Sequence, residues 1–355
     1  MEKIKVAIIG TGGISKEHIK GYLNNPKVEL YAFCDINEAQ LNKMGDQYGV
    51  ERRYTDVNEM LRELPEIDAV SVCTWNSAHA PCTIAALNAG CHVLCEKPMA
   101  TSAEEARAMK EAAERHGKLL QIGFVRRYGN DCKIVKDYID NGYFGDIYYG
   151  KAIYLRRNGA PGGWFGDKSR SGGGPLIDLG VHVIDLTRYL LGNPKPVSVY
   201  GATFHKLANR PGVKKIKKGY LSVSAGADDI FDVEDLATAM IRYDNGAVIQ
   251  VEASFSLNIK DNVGNIELFG TEAGARLDPE LEIFTNLNGY MNNVSFTSST
   301  ALSFDGLFQN EIDHYVDCIT EGVACIAPAE DGIALMQILD AIYESAATGH
   351  EVLIK

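Results

Sequence analysis

Short, mainly apolar runs alternate with helix-like segments through the first 124 residues of this 355-residue chain. The runs are too short for helices and lack the polar alternation of a half-exposed strand, so they indicate parallel strands that helices cover on both faces. This repetition predicts an open, doubly wound α/β sheet. We assign strands to residues 4–9, 28–34, 69–73, 92–95 and 119–124, and helices to 38–48, 78–89 and 102–116.

A different pattern begins at residue 125. Residues 147–156 alternate as a strand does, and strand-like segments with turn signals run from 196 to 296. Asp244-Asn245-Gly246 separates two of them, 237–243 and 247–255, as a hairpin turn would. Helical patterns cover 130–141, 176–191, 310–319 and 333–347, and a last strand covers 352–354. We therefore predict an α/β domain at 1–124 and, at 125–355, an α+β domain with a large, mostly antiparallel open sheet.

The chain carries 47 acidic and 35 basic residues, so its formal net charge is −12. An acidic protein repels nucleic acid and anionic membranes, and we expect neither as a partner. The basic cluster Lys214–Lys218 is expected to be a solvated loop. We expect no membrane span and no secretory signal, and hence a cytoplasmic protein. The eight cysteines show neither a C-x-x-C pair nor zinc-finger spacing, which predicts reduced thiols.

A glycine-rich turn directly follows the first predicted strand. Gly10-Thr11-Gly12-Gly13-Ile14-Ser15 has the form G-x-G-x-x-S and leads into a helical pattern. Gly10 would allow a tight turn, Gly12 would let backbone N–H groups approach a pyrophosphate, and Ser15 is small enough for close helix packing and could cap the helix. Asp35 follows the second strand, where a carboxylate accepts hydrogen bonds from ribose hydroxyls and repels a 2′-phosphate. The sequence therefore predicts a Rossmann domain that binds NAD rather than NADP.

Two later segments carry polar side chains suited to chemistry. Lys97 follows the fifth strand, at the carboxyl edge of the sheet where ligands bind in such folds. In a helix, Asp178, His182 and Asp185 would project from one face. Oxidation of an alcohol needs a base for the hydroxyl proton, and an imidazole that titrates near neutrality suits that role. We expect no metal at these residues, and we interpret Asp185 as a structural partner of the helix.

Together these segments resemble the Gfo/Idh/MocA family of oxidoreductases, which includes glucose–fructose oxidoreductase and inositol dehydrogenase. The matching segments extend over essentially the whole chain, and the Glu-Lys-Pro turn and the Asp-x-x-x-His helix are the most specific. The full set comprises the G-x-G-G-I turn, Cys34-Asp35, Thr74, Asn76, His79, residues 89–98, 121–124 and 173–185, Glu311 and residues 345–349. Trp75 stands where many members have proline, so no single member's substrate is carried over.

The resemblance implies roles for three residues. Lys97 would contact the substrate hydroxyl and the nicotinamide ribose, Asp178 would help to bind substrate, and His182 would be the general acid/base. The implied cofactor site comprises Gly10, Gly12, Gly13, Ile14, Asp35, Thr74, Asn76, His79, Glu96 and Lys97. For His79, packing at a helix N-terminus is an equally good interpretation. The family's open sheet also implies self-association through the second domain, as a dimer or tetramer.

Residues 156–174 form a glycine-rich segment with a single tryptophan. We interpret it as a lid over the substrate. Trp164 would then offer an apolar face to a sugar ring, and Arg156 or Arg157 would bind hydroxyls. The alternative is a loose surface loop.

These features predict an NAD-dependent dehydrogenase that acts on a secondary ring hydroxyl or ketone of a sugar, polyol or glycoside. One alternative is a glycoside-cleaving enzyme, in which tightly held NAD oxidises the sugar transiently, β-elimination breaks the glycosidic bond and no net NADH forms. Another is a nucleotide sensor without catalysis, which the presence of Lys97, Asp178 and His182 disfavours.

Overall fold

The computed structural model describes residues 3–208, 210, 213, 221–226, 228–297, 300 and 304–355. The basic cluster Lys214–Lys218 lies outside these residues, so the expected solvated loop stays a prediction. In the described part of the chain, no helix combines the length and the apolar character that crossing a membrane requires.

The strands are β1 (Ile4–Ile9), β2 (Val28–Cys34), β3 (Arg52–Tyr54), β4 (Ala69–Val72), β5 (His92–Glu96), β6 (Leu120–Gly123), β7 (Ile147–Leu155), β8 (Pro196–Phe204), β9 (Leu236–Tyr243), β10 (Val248–Ser254), β11 (Val263–Gly270), β12 (Ala273–Arg276), β13 (Glu282–Leu287), β14 (Tyr290–Val294) and β15 (Val352–Leu353). The helices are α1 (Ser15–Asn24), α2 (Glu38–Tyr48), α3 (Val57–Glu63), α4 (His79–Asn88), α5 (Ala103–His116), α6 (Asn130–Asp140), α7 (Lys168–Ser171), α8 (Val181–Leu190), α9 (Phe304–Thr320) and α10 (Ala329–Thr348).

The chain forms two compact units, the first of which comprises Met1–Val125 and Ser303–Met336. Its six-stranded sheet has the order β3-β2-β1-β4-β5-β6, and all neighbouring strands run parallel. This is the strand order of a dinucleotide-binding Rossmann fold, so the predicted α/β architecture is confirmed.

Side-chain caps set the start of several helices in this unit. Ser102 accepts a hydrogen bond from the amide of Glu105, so α5 begins one residue later than predicted. Asp56 caps α3 in the same way. Neither α3 nor the three-residue β3 was predicted, because segments this short show no clear hydrophobic period.

Helix α9 returns to the first unit after Arg126–Leu302, the larger part of the second unit. A Cβ atom on Gly21 of α1 would lie 2.8 Å from Cγ1 of Ile312, so the two helices touch where α1 has no side chain. Ile312, Tyr315 and Val316 belong to one buried cluster with Ile8 and other residues of the sheet. The sequence division at residue 124 placed α9 in the second domain, whereas its apolar face is buried in the first.

The second unit comprises Arg126–Leu302 and Gln337–Lys355. Its nine-stranded sheet has the order β14-β13-β12-β11-β7-β10-β9-β8-β15. β7 and β10 run parallel and the other neighbours antiparallel, which confirms the predicted sheet. The predicted hairpin joins β9 and β10, with Arg242 opposite Val248 and a positive φ of 86° at Gly246.

Helices cover one face of this second sheet. A Cβ atom on Gly201 of β8 would lie 3.0 Å from Ile342 of α10, so these two elements pack closely. The other face carries Tyr200 and Met240, which are opposite each other on β8 and β9 and are 56% and 43% exposed. The sheet is therefore buried on one side and open on the other.

Replacement of Ile312 by alanine tests the packing of α9 in the first unit. Because the side chain is fully buried, we expect the free energy of unfolding to fall by about 2–4 kcal/mol. The midpoint of denaturant unfolding measures the change. Val323→Ala, at a position 45% exposed, is the control and should change stability by less than about 0.5 kcal/mol. Equal effects of the two substitutions would contradict this packing.

Candidate functional site

The glycine turn between β1 and α1 has the shape that a pyrophosphate site needs. Gly10 has a φ of 88°, and a Cβ atom there would lie 2.7 Å from the backbone of Cys73, so only glycine fits. At Gly12, nothing among the described residues lies within 4 Å of the corresponding position, which leaves the backbone approachable. Ser15 is buried and its hydroxyl donates to the Gly12 carbonyl at 2.9 Å. Ser15 therefore fixes the turn and, contrary to expectation, does not cap the helix.

The N-terminus of α1 is suited to an anion. Its N-cap is Ile14, whose apolar side chain offers no acceptor to the N–H groups of the first turn. Such N–H groups and the helix dipole together bind phosphate oxygens. Gly13 and Ile14 were predicted to bind the cofactor, and both are half-buried at this point. The turn and the helix start therefore fit the pyrophosphate of a dinucleotide.

Asp35 is held beside the glycine turn. Its Oδ2 accepts from the amide of Thr11 at 2.7 Å and from the Thr11 hydroxyl at 2.9 Å, and its Oδ1 accepts from the amide of Asn37 at 2.8 Å. A carboxylate accepts about four hydrogen bonds, so Oδ1 keeps capacity for a ribose hydroxyl. The neighbouring Ile36 is 71% exposed and brings no positive charge that a 2′-phosphate would need. These residues fit NAD.

His79 lies between the loops that follow β4 and β5. Its Nδ1 is 2.7 Å from the carbonyl of Pro98 and its Nε2 is 3.1 Å from the carbonyl of Thr74. Burial lowers the pKa of His79, so the neutral ring donates one hydrogen bond, to the nearer carbonyl of Pro98. The structure gives His79 a packing role at the start of α4. Cofactor contacts of His79, the half-buried Thr74 and the buried Asn76 stay predictions.

Glu96 is a buried carboxylate directly before Lys97. Its Oε1 lies 2.9 Å from Nε2 of His18, and its Oε2 accepts from the amide of Lys97 at 3.1 Å. Burial alone would raise the pKa of Glu96, but the hydrogen bond from His18 and the nearby charge of Lys97 lower it below its usual value. The ionised carboxylate therefore fixes the backbone of the half-buried Lys97.

His18 was not among the predicted site residues. Its Nδ1 lies 3.1 Å from the hydroxyl of Ser71, which in turn lies 2.7 Å from the hydroxyl of Tyr22. These distances fit one series of hydrogen bonds, in which Tyr22 donates to Ser71 and Ser71 donates to Nδ1 of His18. Nε2–H of His18 then donates to Glu96, and each of these four side chains has a hydrogen-bond partner. The available signal was the position of His18 three residues after Ser15, on the face of α1 that meets the sheet.

Glu311 of α9 completes a buried cluster with His18 and Glu96. One ligand atom from each of the three lies within 4.8 Å of the others. Among the described residues, neither oxygen of Glu311 has a hydrogen-bond partner. Burial and the neighbouring negative charge of Glu96 raise the pKa of Glu311 well above its usual value. Glu311 is therefore a neutral carboxylic acid beside an ionised one.

The second unit carries Asp178 in a π-helical turn, Leu176–Gly180, that runs into α8 and His182. Because a π-helical turn contains more residues than an α-helical turn, Asp178 is not in the α-helical register with His182 and Asp185 that the spacing predicted. Asp178 and His182 are half-buried, whereas Asp185 is buried and binds Arg127 through Nε at 3.0 Å and Nη2 at 2.5 Å. The interpretation of Asp185 as a structural partner agrees with this ion pair, and Arg127 is a partner that the sequence did not reveal.

Glu234, also not predicted, holds the start of this helical segment. Its buried carboxylate accepts from the amides of Gly174 at 2.9 Å and Leu176 at 3.2 Å and from the hydroxyl of Tyr343 at 3.0 Å. A Cβ atom on Gly173 would lie 2.0 Å from that hydroxyl. A Cβ atom on Gly174 would lie 2.3 Å from the backbone carbonyl of Glu234, so close packing requires glycine at that position.

The glycine-rich segment 156–174 is packed against residues 222–226 and 228–232. The amide of Gly163 donates to Oδ2 of Asp229 at 2.6 Å. A Cβ atom on Gly166 would lie 2.4 Å from the carbonyl of Ile230. These contacts do not fit a loose surface loop, and the lid stays a prediction.

Of the side chains predicted to bind substrate in this segment, Trp164 and Arg156 are half-buried and the alternative Arg157 is exposed. Trp164 stacks on Phe165 with ring centroids 3.9 Å apart. Arg156 donates from Nη1 to the carbonyl of Gly159 at 2.9 Å. Neighbours within the segment therefore orient both side chains.

Replacement of Glu311 by glutamine keeps its shape and removes its titration. In the wild type, the folded chain keeps the Glu311 proton at pH values where the unfolded chain, with a pKa of about 4.3, has lost it. The contribution of Glu311 to stability is therefore expected to fall as pH rises above about 4.3, by up to about 1.4 kcal/mol per pH unit. The stability of the wild type relative to Glu311→Gln should fall with this slope. Urea unfolding over a pH series measures it. Glu51→Gln, at an exposed position, is the control, and parallel curves for wild type and Glu311→Gln would contradict the assignment.

Two family models match the chain. The N-terminal model of the Gfo/Idh/MocA family, described as an oxidoreductase family with an NAD-binding Rossmann fold, matches residues 4–124. The C-terminal model, described as the α/β domain of the same oxidoreductase family, matches residues 136–354.

Similar proteins share most of the length of this chain. D-glucoside 3-dehydrogenase of Escherichia coli is 34% identical over 98% of this chain and 97% of its own. Levoglucosan dehydrogenase of Pseudarthrobacter phenanthrenivorans is 31% identical over 77% of this chain and 73% of its own. A solved structure of levoglucosan dehydrogenase in complex with NADH superposes with a TM-score of 0.84 at 26% identity and full coverage of both chains. This chain therefore belongs to the Gfo/Idh/MocA family of oxidoreductases, with an NAD-binding Rossmann domain at its N-terminus.

Proposed function

We propose that this protein is an NAD-dependent dehydrogenase that transfers hydride between the nicotinamide and a secondary ring hydroxyl or ketone of a sugar, polyol or glycoside. The observation that carries the proposal is the cofactor-shaped turn at Gly10 and Gly12, with Asp35 beside it, in a chain that also retains Lys97, Asp178 and His182. The names of the relatives, which are dehydrogenases of D-glucosides and levoglucosan, support a carbohydrate substrate.

Three side chains have direct roles in the proposed chemistry. NAD, when bound, supplies the hydride acceptor. Lys97 polarises the reacting oxygen, because a nearby ammonium stabilises the alkoxide character that develops during oxidation. His182 takes the hydroxyl proton, and returns it in the reverse reaction. Asp178 binds the substrate beside His182, and Glu96 is a positioning residue that acts through the Lys97 backbone.

A panel of sugars, polyols and glycosides tests the proposal, each offered with NAD and with NADP. We expect absorbance from NADH to grow in proportion to an oxidised product whose mass is two units below that of the substrate. Cleavage of a glycoside with no net NADH would overturn the proposal in favour of transient oxidation and β-elimination. NAD binding without turnover of any substrate would favour a sensor.

Replacement of His182 by alanine should remove the general base and leave the cofactor cradle intact. We expect kcat to fall by about 10²–10⁴ while the dissociation constant for NAD stays within about twofold. Steady-state kinetics and fluorescence titration with NAD measure the two quantities. His205→Ala, at an exposed histidine of the same unit, is the matched control. Turnover by His182→Ala within tenfold of wild type would refute the role of His182.

Asp35→Ala tests the choice of cofactor. Loss of a charged hydrogen-bond acceptor should weaken NAD binding by about tenfold or more and reduce the discrimination against NADP. The ratio of kcat/KM for the two cofactors measures this change. Glu38→Ala removes an exposed charge from the adjacent helix and should leave the ratio unchanged. An equal shift in both variants would indicate a general charge effect instead.

Trp164→Ala tests the proposed lid. An aromatic face against a sugar ring predicts a higher KM for the sugar with little change in the affinity for NAD. Phe165→Ala removes the stacking partner and should have a smaller effect of the same kind. If KM and kcat are unchanged in Trp164→Ala, the segment is not a lid.

Self-association through the second sheet is also part of the proposal. The exposed pair Tyr200 and Met240 supports it, because burial of large apolar side chains against another subunit lowers the free energy. We propose that a second copy of this chain covers that face, as a dimer or tetramer.

A further inference from the structure

The end of α9 and the segment after it bring together an imidazole and two thiols. His314 and Cys318 lie one turn apart on α9, and Cys325 follows seven residues later. All three are half-buried, and one ligand atom of each lies within 4.8 Å of the other two. All three belong to the first unit and take no part in the proposed dehydrogenase chemistry. The sequence spacing gave no sign of this cluster because Cys325 comes from a loop.

The spacing of these atoms is close to that of a tetrahedral metal site. Nε2 of His314 lies 3.3 Å from Sγ of Cys318. Ligand atoms on a tetrahedral zinc are about 3.5–3.8 Å apart, given bonds of about 2.0–2.3 Å, so small side-chain movements suffice. Oε1 of Gln121 lies 3.6 Å from Sγ of Cys325 and adds an oxygen at the edge of the cluster. The fourth position is therefore open to this oxygen or to water.

The imidazole presents the nitrogen that a metal requires. The amide of Ile326, the residue after Cys325, donates to Nε2 of His314 at 3.2 Å, so Nε2 carries a lone pair, and a metal bound there would displace this hydrogen bond. Because Nε2 accepts this hydrogen bond, it carries no proton, as a metal-binding nitrogen must. A neutral imidazole and two thiols are ligands that Zn²⁺ prefers.

We propose that His314, Cys318 and Cys325 bind one thiophilic divalent cation of the Zn²⁺ class. On binding, both thiols release a proton to solvent, and two thiolates with a neutral imidazole balance the charge of the cation. No electron is transferred, so the step needs no oxidant. The C-terminal end of a helix and a chain of net charge −12 both favour a cation here.

The proposed metal would be structural. The amide of Ile122 in β6 donates to the carbonyl of Ala327 at 2.9 Å, so the segment after Cys325 already pairs with the edge strand of the sheet. β6 is the last strand of that sheet. A bound cation would fasten the end of α9 to the segment that covers this edge.

The test is a titration of the full-length, reduced, metal-depleted protein with zinc chloride, read by competition with a chromophoric chelator. We expect one equivalent to bind tightly, with an affinity that falls at least tenfold in Cys318→Ser and in Cys325→Ser. Cys82→Ser is the matched control, because Cys82 is half-buried in the same unit but away from this cluster, and its affinity should match the wild type.

Cobalt chloride gives a second measurement that does not depend on stability or catalysis. A tetrahedral site with thiolate ligands should show intense visible bands and sulfur-to-cobalt charge transfer, and both should be lost in the two cysteine variants. The proposal is overturned if the wild type binds zinc no better than a Cys318→Ser/Cys325→Ser protein, or if Cys82→Ser loses binding equally. A Cys318–Cys325 disulfide in freshly isolated, metal-free protein would also overturn it.

Discussion

A carboxylate that is ionised although it is almost fully buried is the constraint on which the candidate chemistry of the first unit depends. Glu96 is 6% exposed, and such a charge is stable only if each oxygen is hydrogen-bonded. His18 satisfies one oxygen and the amide of Lys97 the other. The same bonds that stabilise the charge also fix the turn from which Lys97 projects. Glu311 can lie beside Glu96 because it keeps its proton.

The second unit also has a buried carboxyl group that binds backbone amides. Glu234 is buried, and two amides at the start of the helical segment with Asp178 donate to it. Burial raises the pKa of Glu234, and its hydrogen bonds oppose that rise. In each unit a buried carboxylate therefore holds the backbone that carries a proposed catalytic side chain. Replacement of Glu96 or Glu234 would therefore disturb the backbone, and through it the position of the proposed catalytic side chain.

The sequence predicts those parts of this fold that depend on local pattern. β1, β2 and α2 have the predicted bounds because apolar runs and clear helix caps mark them. The glycine turn and Asp35 lie together as their spacing requires. Glu234 and Arg127 were missed because each is distant in sequence from the residue that it binds. Glu234 lies 60 positions from Gly174, and Arg127 lies 58 positions from Asp185. The π-helical turn was missed because one extra residue per turn leaves no compositional trace.

The contact between Gly21 and Ile312 has a consequence for biosynthesis. The cluster that includes Ile8 and Phe33 is closed by α9, so a nascent chain cannot bury these early residues fully until more than 300 residues have been translated. During that interval Arg126–Leu302, the larger part of the second unit, is made while the first unit lacks its outer helix. A ribosome-bound fragment ending before α9 therefore exposes an apolar groove along α1, where a chaperone would be expected to engage the nascent chain.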